Sequence, residues 1–126
     1  MNFEPKTEEQ IAESKLFKAG VYPFEILEAK ETTSKSGNPM IELRVKVINN
    51  GSSRVVTDYL LPQRAEKLLH CCVVCGCQEN YERGELSGDD FLGKTGKLKL
   101  VVERGRKDET GTKWPDKNVI EDYVAA

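Results

Sequence analysis

A chain of 126 residues with a mean hydropathy of −0.53 is one ordinary domain, long enough to bury a core without disulfide staples. Its residues are 32% charged yet sum to a net charge of only −2, so bulk charge argues neither for nor against a nucleic-acid partner. It holds no run of roughly 18 apolar residues to cross a bilayer, and MNFEPKTEEQ lacks the basic-then-apolar order of a secretory leader, so the expected location is the cytoplasm.

Residues 1–19 form an acidic N-terminal arm. Thr7 followed by Gln10 is a capping-box pattern that predicts a short helix over residues 8–18, stopped by Gly20. Residues 20–126 read as one domain. Tyr22, Phe24 and Ile26 alternate with Pro23, Glu25 and Leu27, a first strand; residues 31–39 (ETTSKSGNP) follow as a turn-rich loop. Ile41, Leu43, Val45 and Val47 alternate with Glu42, Arg44 and Lys46, so the second strand buries one face and wets the other. Asn49-Asn50-Gly51 is a strong hairpin turn into a third strand over residues 54–60. Pro62 suits the first turn of a helix whose apolar stripe is Ala65, Leu68, Leu69, Cys72 and Cys75, with Gly76 as its stop. Residues 77–93 read as a long polar loop. Leu98, Leu100 and Val102 mark a fourth strand, residues 104–117 an exposed loop, and residues 119–124 a last strand.

Three strands, a helix and two more strands is the order of the OB-fold, a five-stranded Greek-key barrel. The expected class is therefore all-β with one helix, placed between strands three and four. OB barrels bind oligonucleotides on strands two and three and in the loops after strands one and four. Single strands need cations for their phosphates and aromatic faces for their bases. The candidates at those places are Lys35 and Asn38 in the first loop, Arg44 and Lys46 on strand two, and Arg104, Arg106, Lys107, Lys113 and Trp114 in the last loop. The positive charge favours that end of the chain: residues 94–126 hold eight Lys and Arg against six acids, residues 62–93 three against six. Trp114 between two lysines either stacks on a base or folds back over the barrel end. Tyr59 is either a second stacking platform or, because Val55 and Thr57 share its face, part of the core, and the pattern favours the core.

Cys71, Cys72, Cys75 and Cys77 lie within seven residues, which is not the spread of a disulfide framework. His70, Cys72, Cys75 and Cys77 resemble a metal-ligand set on paper. Structural zinc, however, joins separated pairs of ligands, whereas Cys72 and Cys75 share the apolar stripe and read as small core residues. Cys71 and Cys77 fall off the stripe, where exposure would make them reactive. No cofactor is expected. The Gly93-Lys94-Thr95 triplet precedes a strand, whereas a phosphate-cradling loop precedes a helix, and no nucleophile elbow exists, so the chain does not read as an enzyme.

Four stretches carry a family resemblance: residues 19–26 (AGVYPFEI), 33–43 (TSKSGNPMIEL), 91–96 (FLGKTG) and 118–123 (NVIEDY). Through them the course of the chain from residue 20 resembles a family of small phage-encoded single-stranded DNA-binding proteins. The resemblance implies an OB-fold, single-stranded DNA as partner, and a role in phage DNA replication or recombination in the cytoplasm of a bacterial host. Phage replication or recombination proteins are then further candidate partners. The chain departs from that family in its Cys-rich helix end, and it does not show the long acidic C-terminal tail by which bacterial single-strand binders recruit partners. Two other readings stay open: a barrel that recruits a replication or recombination protein without touching DNA, and a small zinc or redox protein using residues 71–77.

Overall fold

The computed structural model describes residues 1–7, 16–105, 109–111 and 116–125. Five strands form one antiparallel sheet in the spatial order β3-β2-β1-β4-β5: β1 Gly20–Thr33, β2 Pro39–Asn49, β3 Ser52–Leu60, β4 Thr95–Glu103 and β5 Lys117–Val124. A short 3-10 turn, Pro62–Arg64, leads into helix α1 (Ala65–Cys75), which is followed by the five-residue helix α2 (Gln78–Glu82). The chain is thus mostly β, with strands curled around one core in a barrel-like arrangement. The helix expected over residues 8–18 falls largely outside the described residues.

The period-two pattern of β2 is realised in full. Leu43, Val45 and Val47 are completely buried and Ile41 nearly so, each burial contributing roughly 1.5–3 kcal/mol against exposure. Phe24 and Ile26 of β1 and Leu98 and Leu100 of β4 complete that layer. Asn50 and Gly51 both take positive φ, 45° and 90°, as a two-residue hairpin turn requires, and this fixes Asn49 opposite Ser52. β1 runs further than its apolar alternation indicates: Glu31–Thr33 stay in the ladder opposite Pro39–Ile41, leaving only residues 34–38 as the connection.

Three details correct the sequence reading. Residues 77–93 are not a plain loop: they hold α2 and a second 3-10 turn at Gly88–Asp90, and Phe91 is fully buried. In α1 the buried positions are Lys67, Leu68, Cys71, Cys72 and Cys75, while Ala65 is exposed and Leu69 only half-buried. Cys71 and Cys77 are core residues like their neighbours, Cys71 fully buried and Cys77 left with only 7% of its surface exposed. The buried stripe runs through Cys71 rather than Leu69, and Lys67, one turn earlier on the same stripe, meets a buried partner.

That partner is Asp58 on β3. β3 and β5 are the two outer strands of the sheet order, and side chains bridge them. Lys67 Nζ donates to Asp58 Oδ1 at 2.7 Å and to the Ile120 carbonyl at 2.8 Å, and Tyr123 Oη donates to Asp58 Oδ2 at 2.7 Å. Burial, and then the negative charge of Asp58, push the Tyr123 phenol well above its ordinary value and keep it a donor. The base of the arm is pinned separately: Asn118 of β5 exchanges hydrogen bonds of 2.8 and 2.9 Å with the backbone of Phe17, whose ring packs on Tyr22.

Candidate nucleic-acid interface

The outer face of β2 and β3 is set by the hairpin register. Residues directly opposite in an antiparallel pair share a face, so Arg44 sits beside Thr57, Lys46 beside Val55, and Glu42 beside Tyr59. Since Val45 and Val56 point inward together, this second set points out. Tyr59 and Val55 are each 44% exposed. The expectation that Tyr59 joins the core is therefore overturned. The inward positions of β3 are Val56, Asp58 and Leu60, and what lets Asp58 be one of them is its ion pair with Lys67.

Continuing onto β1, Glu28 lies opposite Arg44, Glu25 opposite Lys46 and Lys30 opposite Glu42. The face is thus three cross-strand rows, each holding one cation and at least one acid. Arg44 reaches Glu28 at 3.8 Å with both side chains more than half exposed, a pairing worth at most ~1 kcal/mol. A guanidinium held this weakly exchanges a carboxylate for a phosphate at little cost. Beyond the Tyr59 end of the strip opens an apolar recess of about 600 Å³ lined by Met40, Ile41, Leu60, Pro62, Leu68 and Tyr81 among others.

The first loop is a tight, internally bonded turn. Ser34 N–H donates to the Asn38 carbonyl at 2.8 Å, Gly37 N–H to the Ser34 carbonyl at 2.9 Å, and the Asn38 amide to the Ser36 hydroxyl at 3.2 Å. Asn38 therefore serves the turn, whereas Lys35 stands exposed at its tip. Arg104 is 87% exposed and reaches Asp116 at 3.4 Å, while the Gly105 N–H donates to the same carboxylate at 2.7 Å, closing the base of the last loop. Arg106, Lys107, Lys113 and Trp114 lie outside the described residues.

The four candidate ligands of a metal are not brought together as one set. His70 Nδ1 pairs with Asp122 at 2.9 Å, the Cys72 thiol hydrogen-bonds to that of Cys77 and the Cys71 thiol to that of Cys75. Among the described residues no three His, Cys, Asp or Glu side chains cluster as a metal site. Burial opposes charge on Asp122, but hydrogen bonds from His70 and from the Tyr123 N–H outweigh it and hold the carboxyl below its ordinary value. The residues missed from sequence are Val55 on the face, and Lys67, Asp58 and Tyr123 beneath it; Lys30, expected in the first loop, stands on β1 opposite Glu42.

No family model matches this chain, and no curated protein matches it.

Proposed function

We propose that the chain is an OB-type barrel that binds single-stranded DNA with little sequence preference and without catalysis, in the service of phage DNA replication or recombination. The strand order supports the fold reading: β1 is shared between β2 and β4, α1 lies between β3 and β4 in the chain, and β3 meets β5 through Asp58 and Tyr123. The observation that carries the binding reading is the exposed Tyr59 ring on the same face as Arg44, Lys46 and Lys30. An aromatic face can stack on any base, and cations spaced along neighbouring strands track the phosphates. Lys35 at one end and Arg104 at the base of the last loop extend that path.

Fluorescence anisotropy with labelled oligo-dT and with a duplex of equal length tests it. The expected result is preference for the single strand. Tyr59→Ala should weaken binding roughly tenfold or more, since one stacked base is worth about 1–3 kcal/mol. Arg44→Glu should weaken it further. Equal affinity for duplex and single strand at low salt rejects the proposal.

One observation favours the recruiting module instead. Glu25, Glu28 and Glu42 interleave with the cations on this face, a mixed pattern that also suits a protein surface. Under that reading Tyr59→Ala and Arg44→Glu disturb a protein complex and leave no DNA affinity to lose.

A further inference from the structure

Helix α1 ends in a motif that joins two thiols. The N–H of Cys77 donates to the carbonyl of Cys72 at 2.8 Å, and the N–H of Gly76 to the carbonyl of Val73 at 3.3 Å. Gly76 supplies the required left-handed turn, with φ of 78°. In this Schellman arrangement the side chains at the two ends of the hydrogen bond that spans more residues, here Cys77 to Cys72, come into contact, normally as an apolar pair. Here both are cysteines, and the Cys72 thiol donates to that of Cys77. All four cysteines of the cluster are free.

We propose that Cys72 and Cys77 form a dithiol that closes into an intramolecular disulfide on exposure to a small-molecule disulfide such as oxidised glutathione. The bridge fastens the last turns of α1 to the residue just before α2. It is selective for this pair. Cys71 and Cys75 also touch, but they sit one turn apart inside a regular helix, where their Cα–Cβ bonds run side by side. A disulfide needs converging Cβ atoms and a dihedral near 90°. Cys77 lies beyond the left-handed Gly76, outside the helix, so its Cα–Cβ bond is released from the parallel set that Cys71 and Cys75 share.

The chemistry proceeds by two exchanges. Cys77, the more exposed of the two at 7% against 0%, loses its proton to water and attacks one sulfur of glutathione disulfide. The Cys77–glutathione bond forms as the glutathione S–S bond breaks, and one glutathione thiolate leaves and takes up a proton. Cys72 then loses its proton and attacks the Cys77 sulfur, expelling the second glutathione. Two protein thiols and one glutathione disulfide become one protein disulfide and two glutathione thiols. Burial raises both protein thiols above their ordinary value of 9.0, so closure is slow at neutral pH and accelerates with alkalinity.

The test uses the full folded chain. It is incubated with oxidised glutathione, its free thiols are blocked with one alkylating reagent, and after reduction the released thiols are marked with a second. Mass spectrometry should show loss of two hydrogens and the second label on Cys72 and Cys77 alone, with a rate rising about tenfold per pH unit from neutrality upward. Cys71→Ala and Cys75→Ala should each still close, and Cys77→Ala should not. Circular dichroism during incubation verifies that the chain stays folded. The second label on Cys71 or Cys75, a glutathione adduct that never resolves, or thiols that remain reduced would each overturn the assignment, and the wild-type labelling decides it even where a variant fails to fold.

Discussion

Asp58 is a carboxylate held inside an apolar shell, and what makes that tolerable is the company of one ammonium and one phenol, each at 2.7 Å. A buried charge that loses its partner keeps its desolvation cost and loses the compensating attraction. Lys67→Met should therefore lower stability by about 3–5 kcal/mol in urea unfolding, with Lys67→Met combined with Asp58→Leu recovering much of the loss. Tyr123→Phe removes one hydrogen bond to a charged group and should cost about 1.5–3 kcal/mol. The same region sets the pH limits of the fold. Asp122 and Asp90 are held below their ordinary value of 3.8, Asp122 by His70 and the Tyr123 N–H against its burial, Asp90 by the Ser87 N–H and then Asn80. Their stabilisation is present above that ordinary value and is lost as pH falls through the lower, folded one. Tyr123 has the opposite sign. Its raised value means that the neutral phenol is favoured in the fold, so its contribution holds below the ordinary value of 10.0 and declines as pH climbs past it. Urea midpoints across pH should fall at both extremes. His70→Ala should lower the neutral-pH midpoint and make the acid decline shallower, because Asp122 then has less to lose.

Two short elements decide how the strands meet, and they differ in how visible they are beforehand. The Gly88–Asp90 turn lies against the β1 backbone: a Cβ on Gly88 would stand 2.6 Å from the Ala29 carbonyl oxygen, which is main chain and cannot rotate away. Gly37 has open space around it but φ of 83°. Gly88→Ala should therefore cost more than Gly37→Ala in thermal unfolding, about 1–3 kcal/mol for overpacking against roughly 1–2 kcal/mol for a left-handed alanine. Nothing in residues 77–93 announces this contact, because a three-residue turn has no periodicity and the fully buried Phe91 after it is a single residue. β2 and α1, by contrast, are long enough for their periods to show. The outward turn of Tyr59 was legible as well, by a different signal. β3 offers two faces of similar apolarity, and counting residues selects Val55, Thr57 and Tyr59 as core. The Asn50-Gly51 turn sets Asn49 opposite Ser52, and counting along the hairpin from there puts Tyr59 beside Glu42 on the charged face. What no local pattern reveals is the Lys67 partner, 9 residues away, that lets Asp58 face inward. On the candidate strip, Arg44 and Lys46 follow from alternation, whereas the Asn38 amide is spent inside its own loop, where side-chain chemistry alone made it look available.

For the molecule as a whole, a net charge of −2 means that no long-range field draws DNA in, so any affinity must come from the local strip. That makes the salt dependence informative. If Lys30, Lys35, Arg44 and Lys46 each neutralise a phosphate, log affinity against log salt should slope near −3, at about −0.7 per contact on a single strand. The acids of the strip set a second expectation. Glu28 competes with a phosphate for Arg44 across 3.8 Å of largely exposed space. Glu28→Gln removes that competitor and one repulsive charge, and because exposed pairs are worth at most ~1 kcal/mol, affinity for oligo-dT should rise about two- to fivefold at low salt. The gain should shrink as salt is added, since screening acts first on exposed charges. Arg44→Gln made alone should lose one contact and flatten the slope by about 0.7, and in that background Glu28→Gln should give less. A Glu28→Gln effect of equal size with and without Arg44 would mean that the carboxylate acts on DNA from elsewhere, and a slope near zero would mean that phosphates are not what this face holds.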